Sequence, residues 1–162
     1  MCAPTSTPPG HIKKEQETKD VRQQEAIGRS KGGLSTKIHA LVDALGNPLD
    51  FILTPDQACD LEGTDAFLPG LKAEALLADK AYDADERVIH VLKTMNIEAV
   101  IPPKSNRTEP RDYDQELYKA RHLIENFFLK LKQFRAIATR YDKTARNFLG
   151  AIFLAGTYVW LN

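Results

Sequence analysis

Hydrophobic residues recur in short runs from residue 34 onward, and their spacing predicts a mixed set of strands and helices. Two β-rich runs, residues 36–43 and 49–54, flank the dipeptide Gly46-Asn47, whose preference for turns predicts a β-hairpin. Asp43 lies at this turn and is interpreted as a turn residue. The same reasoning predicts further elements along the chain: a short helix at 60–68, a strand at 75–78, a helix at 84–95 and a strand at 99–101.

A longer helical pattern follows, and it separates an apolar face from a charged one. At about 100° per residue, the helix gathers apolar residues on one side. These are Leu123, Phe127, Leu131 and Phe134. Within a sector of about 60°, the opposite side carries a phenol, two bases and an acid. These are Tyr118, Arg121, Glu125 and Lys132. We therefore expect this polar stripe to face out of the core, over an edge or a cleft.

The last apolar run covers residues 148–161. Its fourteen residues fall short of the roughly 20 that a membrane-spanning helix needs. The run therefore predicts a buried helix, capped by Asp142 or Thr144, and no membrane partner is expected.

The length and composition of the chain limit the number of domains and the kinds of site it can contain. The chain has 162 residues, 43% of them hydrophobic, which suffices for one core but is short for two ordinary domains. Residues 1–27 are rich in Pro, Thr, Ser, Lys, Glu and Gln and lack an apolar period, which predicts a disordered tail. Cys2 and Cys59 are the only cysteines, so we expect neither a disulfide framework nor a cysteine-rich zinc site, and a reducing, cytoplasmic setting.

The formal net charge of zero hides an uneven distribution of charge. Residues 40–100 hold 4 bases and 12 acids, whereas residues 101–162 hold 11 bases and 6 acids. A basic segment next to carboxylates suits a metal-dependent enzyme that acts on a polyanion. A solvated basic helix surface would give the same counts, so charge alone does not decide between them.

The spacing of the polar stripe, Tyr-x2-Arg-x3-Glu-x6-Lys, resembles the signature of bacterial insertion-sequence transposases of the DDE type. Three further blocks resemble that family in the same order, and the resemblance runs from about Gly28 to the end of the chain. They are Gly28-Arg-Ser-Lys-Gly-Gly-Leu-Ser-Thr-Lys-Ile-His39, Ala78-Asp-Lys-Ala-Tyr-Asp83 and Phe134-Arg-Ala-Ile-Ala-Thr-Arg-Tyr141.

The resemblance implies an α/β fold with a ribonuclease-H-like catalytic core over residues 28–162. In the family, the first strand precedes the hairpin and carries the first catalytic Asp, and nothing before Gly28 matches that strand. We therefore expect a partial catalytic domain. Our hypothesis is that residues 1–27 are read out of frame, and that an upstream segment encodes the first Asp.

The resemblance also assigns roles to individual residues. Asp79 and Glu125 would be the second and third acidic ligands of Mg²⁺ or Mn²⁺ in a catalytic site. Arg121 and Lys132 would contact DNA phosphates, and Tyr118 would orient Arg121 or touch the DNA. The partners implied are the element ends and target DNA, the upstream transposase segment, and further copies of the protein on DNA. The complete protein would cleave and transfer DNA strands, whereas this chain alone is expected to be inactive and poorly stable.

Other interpretations remain open from the sequence. The chain could be a catalytically inactive remnant or a DNA-binding regulator of transposition. Arg121 and Glu125 could be an ordinary i,i+4 ion pair, and Asp79 could cap a turn. Asp83 lies nearby and is a weaker candidate for the acidic site; the favoured interpretation is an N-terminal helix cap. The basic loop residues Lys104, Arg107 and Arg111 would form a mobile basic rim, although most such loops are merely solvated.

Overall fold

The computed structural model describes residues 25–30 and 33–162. Most of the expected tail, residues 1–24, lies outside them. The described strands are β1 (Gly28–Ser30), β2 (Gly33–Val42), β3 (Pro48–Pro55), β4 (Ala75–Leu77) and β5 (Glu98–Val100). The described α-helices are α1 (Leu61–Phe67), α2 (His90–Thr94), α3 (Gln115–Tyr118), α4 (His122–Lys132), α5 (Arg135–Ala138) and α6 (Ala145–Leu161). Single 3₁₀ turns lie at Leu68–Gly70, Lys80–Tyr82 and Lys119–Arg121, and one π-helical turn lies at Asp85–Ile89.

The predicted hairpin is confirmed. β2 and β3 pair antiparallel, with Ala40 opposite Phe51. β1 pairs with the beginning of β2 on its other edge, with Gly28 opposite Ser35. Beyond Ser35, that edge of β2 has no partner among the described strands.

Asp43 stabilises the turn between β2 and β3 through hydrogen bonds of its side chain. Gly46 has a φ of +84°, a conformation that glycine adopts without steric cost. The Asp43 carboxylate accepts hydrogen bonds from the backbone N–H groups of Leu45 and Asn47. Burial alone would raise the pKa of Asp43, but these hydrogen bonds outweigh it and hold the pKa below its usual value. Its interpretation as a turn residue is confirmed.

A second, separate sheet contains the parallel pair β4 and β5, with Leu76 beside Ala99. The connection between them is the helical segment that ends in α2. β4 has no described strand on its other edge. The described residues therefore form a mixed α/β structure, as predicted.

One hydrophobic cluster joins the hairpin to α4 and α6. Its buried members include Phe51 from β3, Phe127 and Leu131 from α4, and Ile152 from α6. Gly156 lets α6 approach the hairpin closely, because a Cβ atom there would lie 3.0 Å from the Phe51 ring. The predicted apolar face of α4 is confirmed.

A second cluster lies between the small parallel sheet and α2. Its buried residues are Leu68, Val88, Leu92, Ile97 and Ile101. This packing fixes the carboxyl end of β4, immediately before Asp79.

The helical pattern expected to run through Tyr118 and Lys132 is interrupted. The 3₁₀ turn Lys119–Arg121 separates α3 from α4. Residues three apart eclipse each other in a 3₁₀ turn. Arg121 therefore stacks above Tyr118, and its guanidinium carbon lies 5.8 Å from the centre of the Tyr118 ring.

Thr144 caps the N-terminus of the final helix, α6: its hydroxyl oxygen accepts a hydrogen bond from the Asn147 backbone N–H. Of the two predicted caps, Thr144 is therefore the one used. Only one face of α6 is buried: Ile152 is fully inaccessible, whereas Leu154 is 74% exposed. Across the described residues, no helix combines the length and apolarity needed to cross a membrane.

Ile152→Ala should lower the free energy of unfolding by about 2–5 kcal/mol, because it removes buried contacts and leaves a cavity between α6 and the hairpin. Leu154→Ala, on the exposed face of the same helix, should change it by less than about 0.5 kcal/mol. Urea unfolding followed by circular dichroism measures both. Equal losses would show that α6 does not pack as described.

Candidate active site

Asp79 follows β4 directly and lies at the carboxyl end of the small parallel sheet, the edge where open α/β sheets place their ligands. One of its carboxylate oxygens, Oδ1, accepts a hydrogen bond of 2.6 Å from the backbone N–H of Lys80. Asp79 is thus the N-cap of the 3₁₀ turn Lys80–Tyr82. The other oxygen, Oδ2, remains available to a second group.

That second group is Arg121, which lies 42 residues further along the chain. Its Nη1 donates to Asp79 Oδ2 at 3.2 Å, and its Nη2 donates to Glu125 Oε1 at 2.5 Å. The side chains of Asp79 and Glu125 are 46% and 55% exposed, and that of Arg121 is 28% exposed. The two acids therefore meet at one guanidinium on an accessible surface. The i,i+4 ion pair considered from sequence is present as well.

Tyr118 packs beside this guanidinium. Its ring also lies edge-on to the Tyr113 ring, with the centroids 5.6 Å apart. Burial raises the pKa of the Tyr118 phenol above its usual value, so the group is neutral at pH 7. A neutral phenol against Arg121 restricts where the guanidinium can lie.

Lys132 is exposed at the end of α4, seven residues beyond Glu125. Seven helical residues make about two turns, so Lys132 lies on the same side of the helix as Glu125, about 10 Å further along its axis. The structure thus gathers Asp79, Tyr118 and Glu125 around the guanidinium of Arg121, whereas Lys132 lies about two helical turns beyond them.

Asp83 is the residue that sequence reasoning misjudged. Its side chain does not cap the N-terminus of a helix: it is 1% exposed and accepts hydrogen bonds from three donors. These are the Lys104 backbone N–H at 2.8 Å, Arg107 Nε at 2.8 Å and Arg111 Nη1 at 3.2 Å. The expected mobile basic rim is therefore wrong for Arg107 and Arg111, whose guanidinium groups point inward to a buried acid.

The pKa shifts of Asp83 and Arg107 agree with this arrangement. Burial by itself would raise the pKa of Asp83, but the hydrogen bonds and charges of Arg107 and Arg111, together with the Lys104 N–H, hold that pKa below its usual value. Arg107 also pairs with Asp85, and its own pKa is raised by both acids. The sequence contains one indication of this arrangement. Asp83 and Asp85 form a close acidic pair, and a loop with three bases follows the strand β5.

Comparison with known proteins decides the family. The family model of the transposase DDE domain matches residues 8–160. The chain is 40% identical over 129 residues to a putative transposase for insertion sequence element IS6501 from Brucella ovis. The aligned residues make up 79% of this chain and 99% of that protein. The chain belongs to the transposase DDE domain family. No solved structure matches it.

Membership in the transposase DDE domain family places the chain in DNA transposition. The side chains of interest in such a domain are carboxylates. Within the described residues, no group of three or more His, Cys, Asp or Glu side chains is arranged to hold a metal ion. Asp79 and Glu125 share one guanidinium and are both accessible to solvent.

Proposed function

We propose that the surface around Asp79 and Glu125 is part of the catalytic site of a transposase that cleaves and transfers DNA strands with Mg²⁺ or Mn²⁺. The observation that carries the proposal is the shared guanidinium of Arg121, which brings two acids from distant parts of the chain to one accessible place. Family membership supports the reaction class. The roles of the individual residues are our assignment.

The pair of acids fits part of a magnesium or manganese site. Mg²⁺ prefers oxygen ligands, keeps several waters and is commonly held by one or two carboxylates. Both carboxylates are half exposed, so water and phosphate can reach them. A bound ion would supply charge stabilisation for the attacking and leaving oxygens of a phosphodiester.

The basic and aromatic residues would hold the DNA. Arg121 has a planar guanidinium that can contact a phosphate through two N–H groups, and Lys132 adds a point charge on the same side of the helix. Tyr118 would keep Arg121 oriented. Arg121 would thus exchange its bonds to the carboxylates for bonds to phosphate when DNA binds.

The unpaired strand edges support a role for an upstream segment. The edge of β2 beyond Ser35 and one edge of β4 have no partner among the described strands. A further strand between them would join the two sheets into a ribonuclease-H-like core, and an Asp on that strand would complete the expected set of acids. We propose that the complete protein contains this strand and acts as an oligomer on element ends.

A second candidate function is a regulator that binds element ends without cutting them. It is favoured by one observation: Arg121 already forms ion pairs with both Asp79 and Glu125. In such a protein the ion pairs would be purely structural, and the basic groups would still bind DNA.

Arg121→Ala should tighten the binding of Mn²⁺ by about 2- to 30-fold, since the ion no longer competes with two exposed ion pairs of roughly 0.2–1 kcal/mol each. Free Mn²⁺ measured by electron paramagnetic resonance during a titration gives the dissociation constant. Lys119→Ala is the matched control, because Lys119 lies in the same turn but pairs with Glu116. Weaker Mn²⁺ binding in Arg121→Ala would count against the shared metal site.

Replacing Arg121 and Lys132 together by Ala should weaken DNA binding and make it less dependent on salt. Each lost phosphate contact is expected to reduce the slope of log K against log salt concentration by about 1. Fluorescence anisotropy with element-end DNA at several salt concentrations gives the slope. A slope equal to that of the Lys119→Ala control would show that Arg121 and Lys132 do not contact the backbone.

The two candidate functions separate when the upstream segment is fused in frame. We expect the fused protein to nick element ends with Mg²⁺. Glu125→Gln should reduce nicking by more than the roughly 10–100-fold that loss of an outer-shell metal partner costs, while largely sparing DNA binding. A gel assay for nicking beside a mobility-shift assay reports both. An end-specific shift without nicking by the fused protein would support the regulator.

A further inference from the structure

Asp79 and Asp83 lie at the two ends of the short turn after β4. Both carboxylates accept hydrogen bonds from arginines of the same later segment of the chain. Asp79, at the start of the turn, binds Arg121. Asp83, at its end, binds Arg107 and Arg111. The segment from β5 to α4 is therefore attached to the β4 turn at two places.

The two attachments differ in burial. Asp83 is inaccessible, and its donors are engaged elsewhere too: Arg111 also donates to the Ile101 carbonyl oxygen at 2.8 Å, and Arg107 also pairs with Asp85. Charge-assisted hydrogen bonds of this kind are strong, and a buried acid without them would be costly. The Asp79–Arg121 pair, in contrast, is accessible to solvent and open to exchange.

We propose that Asp83 is a positioning residue: by holding Arg107 and Arg111, it fixes the loop before α3 and so sets Arg121 and Tyr118 against Asp79. Asp83 contacts neither metal nor DNA in this role. The inference rests on the proposed function, because it concerns the same site. It further implies that Arg107 and Arg111 serve the structure and do not bind DNA phosphates.

The path from Asp83 to the site is short and continuous. Arg111 lies seven residues before Tyr118, and the intervening chain enters α3 at Asp114, whose side chain accepts a hydrogen bond from the Leu117 N–H. α3 then continues through the 3₁₀ turn to Arg121. A loop released from Asp83 would thus free the beginning of the helical segment that carries Arg121.

Asp83→Asn tests the proposal, since it keeps the size of the side chain and removes its charge. Asp85→Asn is the matched control, because Asp85 also pairs with Arg107 but is 65% exposed. The primary measurement is the Nε–Hε signal of Arg121 in a ¹⁵N-correlated NMR spectrum of the full chain, assigned by its loss in Arg121→Ala. This measurement needs neither metal nor DNA.

We expect Asp83→Asn to move the Arg121 signal to the position typical of exposed arginines, while the amide signals of the β2–β3 hairpin and α6 stay in place. Asp85→Asn should leave the Arg121 signal where it is. An unmoved Arg121 signal in folded Asp83→Asn would overturn the proposal, and faster trypsin cleavage after Arg107 and Arg111 would then show that Asp83 holds only its own loop.

A second variant covers the case in which Asp83→Asn fails to fold. Arg107→Gln removes one donor and leaves Asp83 with Arg111 and the Lys104 N–H. It should displace the Arg121 signal in the same direction, and no displacement would overturn the proposal.

The fused protein separates this inference from the proposed function. If the wild-type fusion nicks DNA, Asp83→Asn should lower the rate at saturating DNA by about 100-fold, the cost of a small misplacement of reacting groups, with a smaller change in DNA affinity than Arg121→Ala causes. A wild-type fusion that does not nick DNA contradicts the proposed function, whereas the Arg121 signal still decides whether Asp83 positions Arg121.

Discussion

The candidate site depends on one cation placed between two acids. Two carboxylates that approach from separate elements repel each other, and the repulsion is stronger at a protein surface than in bulk water. Arg121 offsets it because its guanidinium has several N–H groups in a planar fork and can donate to Asp79 and Glu125 at the same time. A lysine at this position would offer only a point charge on a flexible stem.

The same guanidinium joins two parts of the molecule that otherwise pack separately. Glu125 and Arg121 belong to the helical segment whose apolar face packs on the hairpin, whereas Asp79 follows the strand β4 that packs on α2. Each hydrophobic cluster holds the elements of its own part. The ion pair between Arg121 and Asp79 links the two parts.

Local patterns predicted the elements of this fold well, and long-range pairing escaped them. The hairpin turn at Gly46 and the apolar face containing Phe127 follow from periodicity within a few residues, which a sequence displays directly. The roles of Asp83, Arg107 and Arg111 depend on partners more than twenty residues apart. An acidic pair and a later basic loop are visible in the sequence, but they do not specify which base binds which acid. The 3₁₀ turn Lys119–Arg121 was missed for a related reason, because helical spacing hardly distinguishes it from an α-helix.

The burial of Asp83 has a consequence for the electric field of the protein. Arg107 and Arg111 with Asp83 and Asp85 form a nearly neutral group of two bases and two acids. Such a group acts on distant charges only as a multipole, whose potential decays faster with distance than that of a single charge. A count of bases along the C-terminal part therefore overstates its attraction for a polyanion approaching through solution. In the proposed complex with DNA, long-range attraction would come instead from solvent-facing bases such as Lys132.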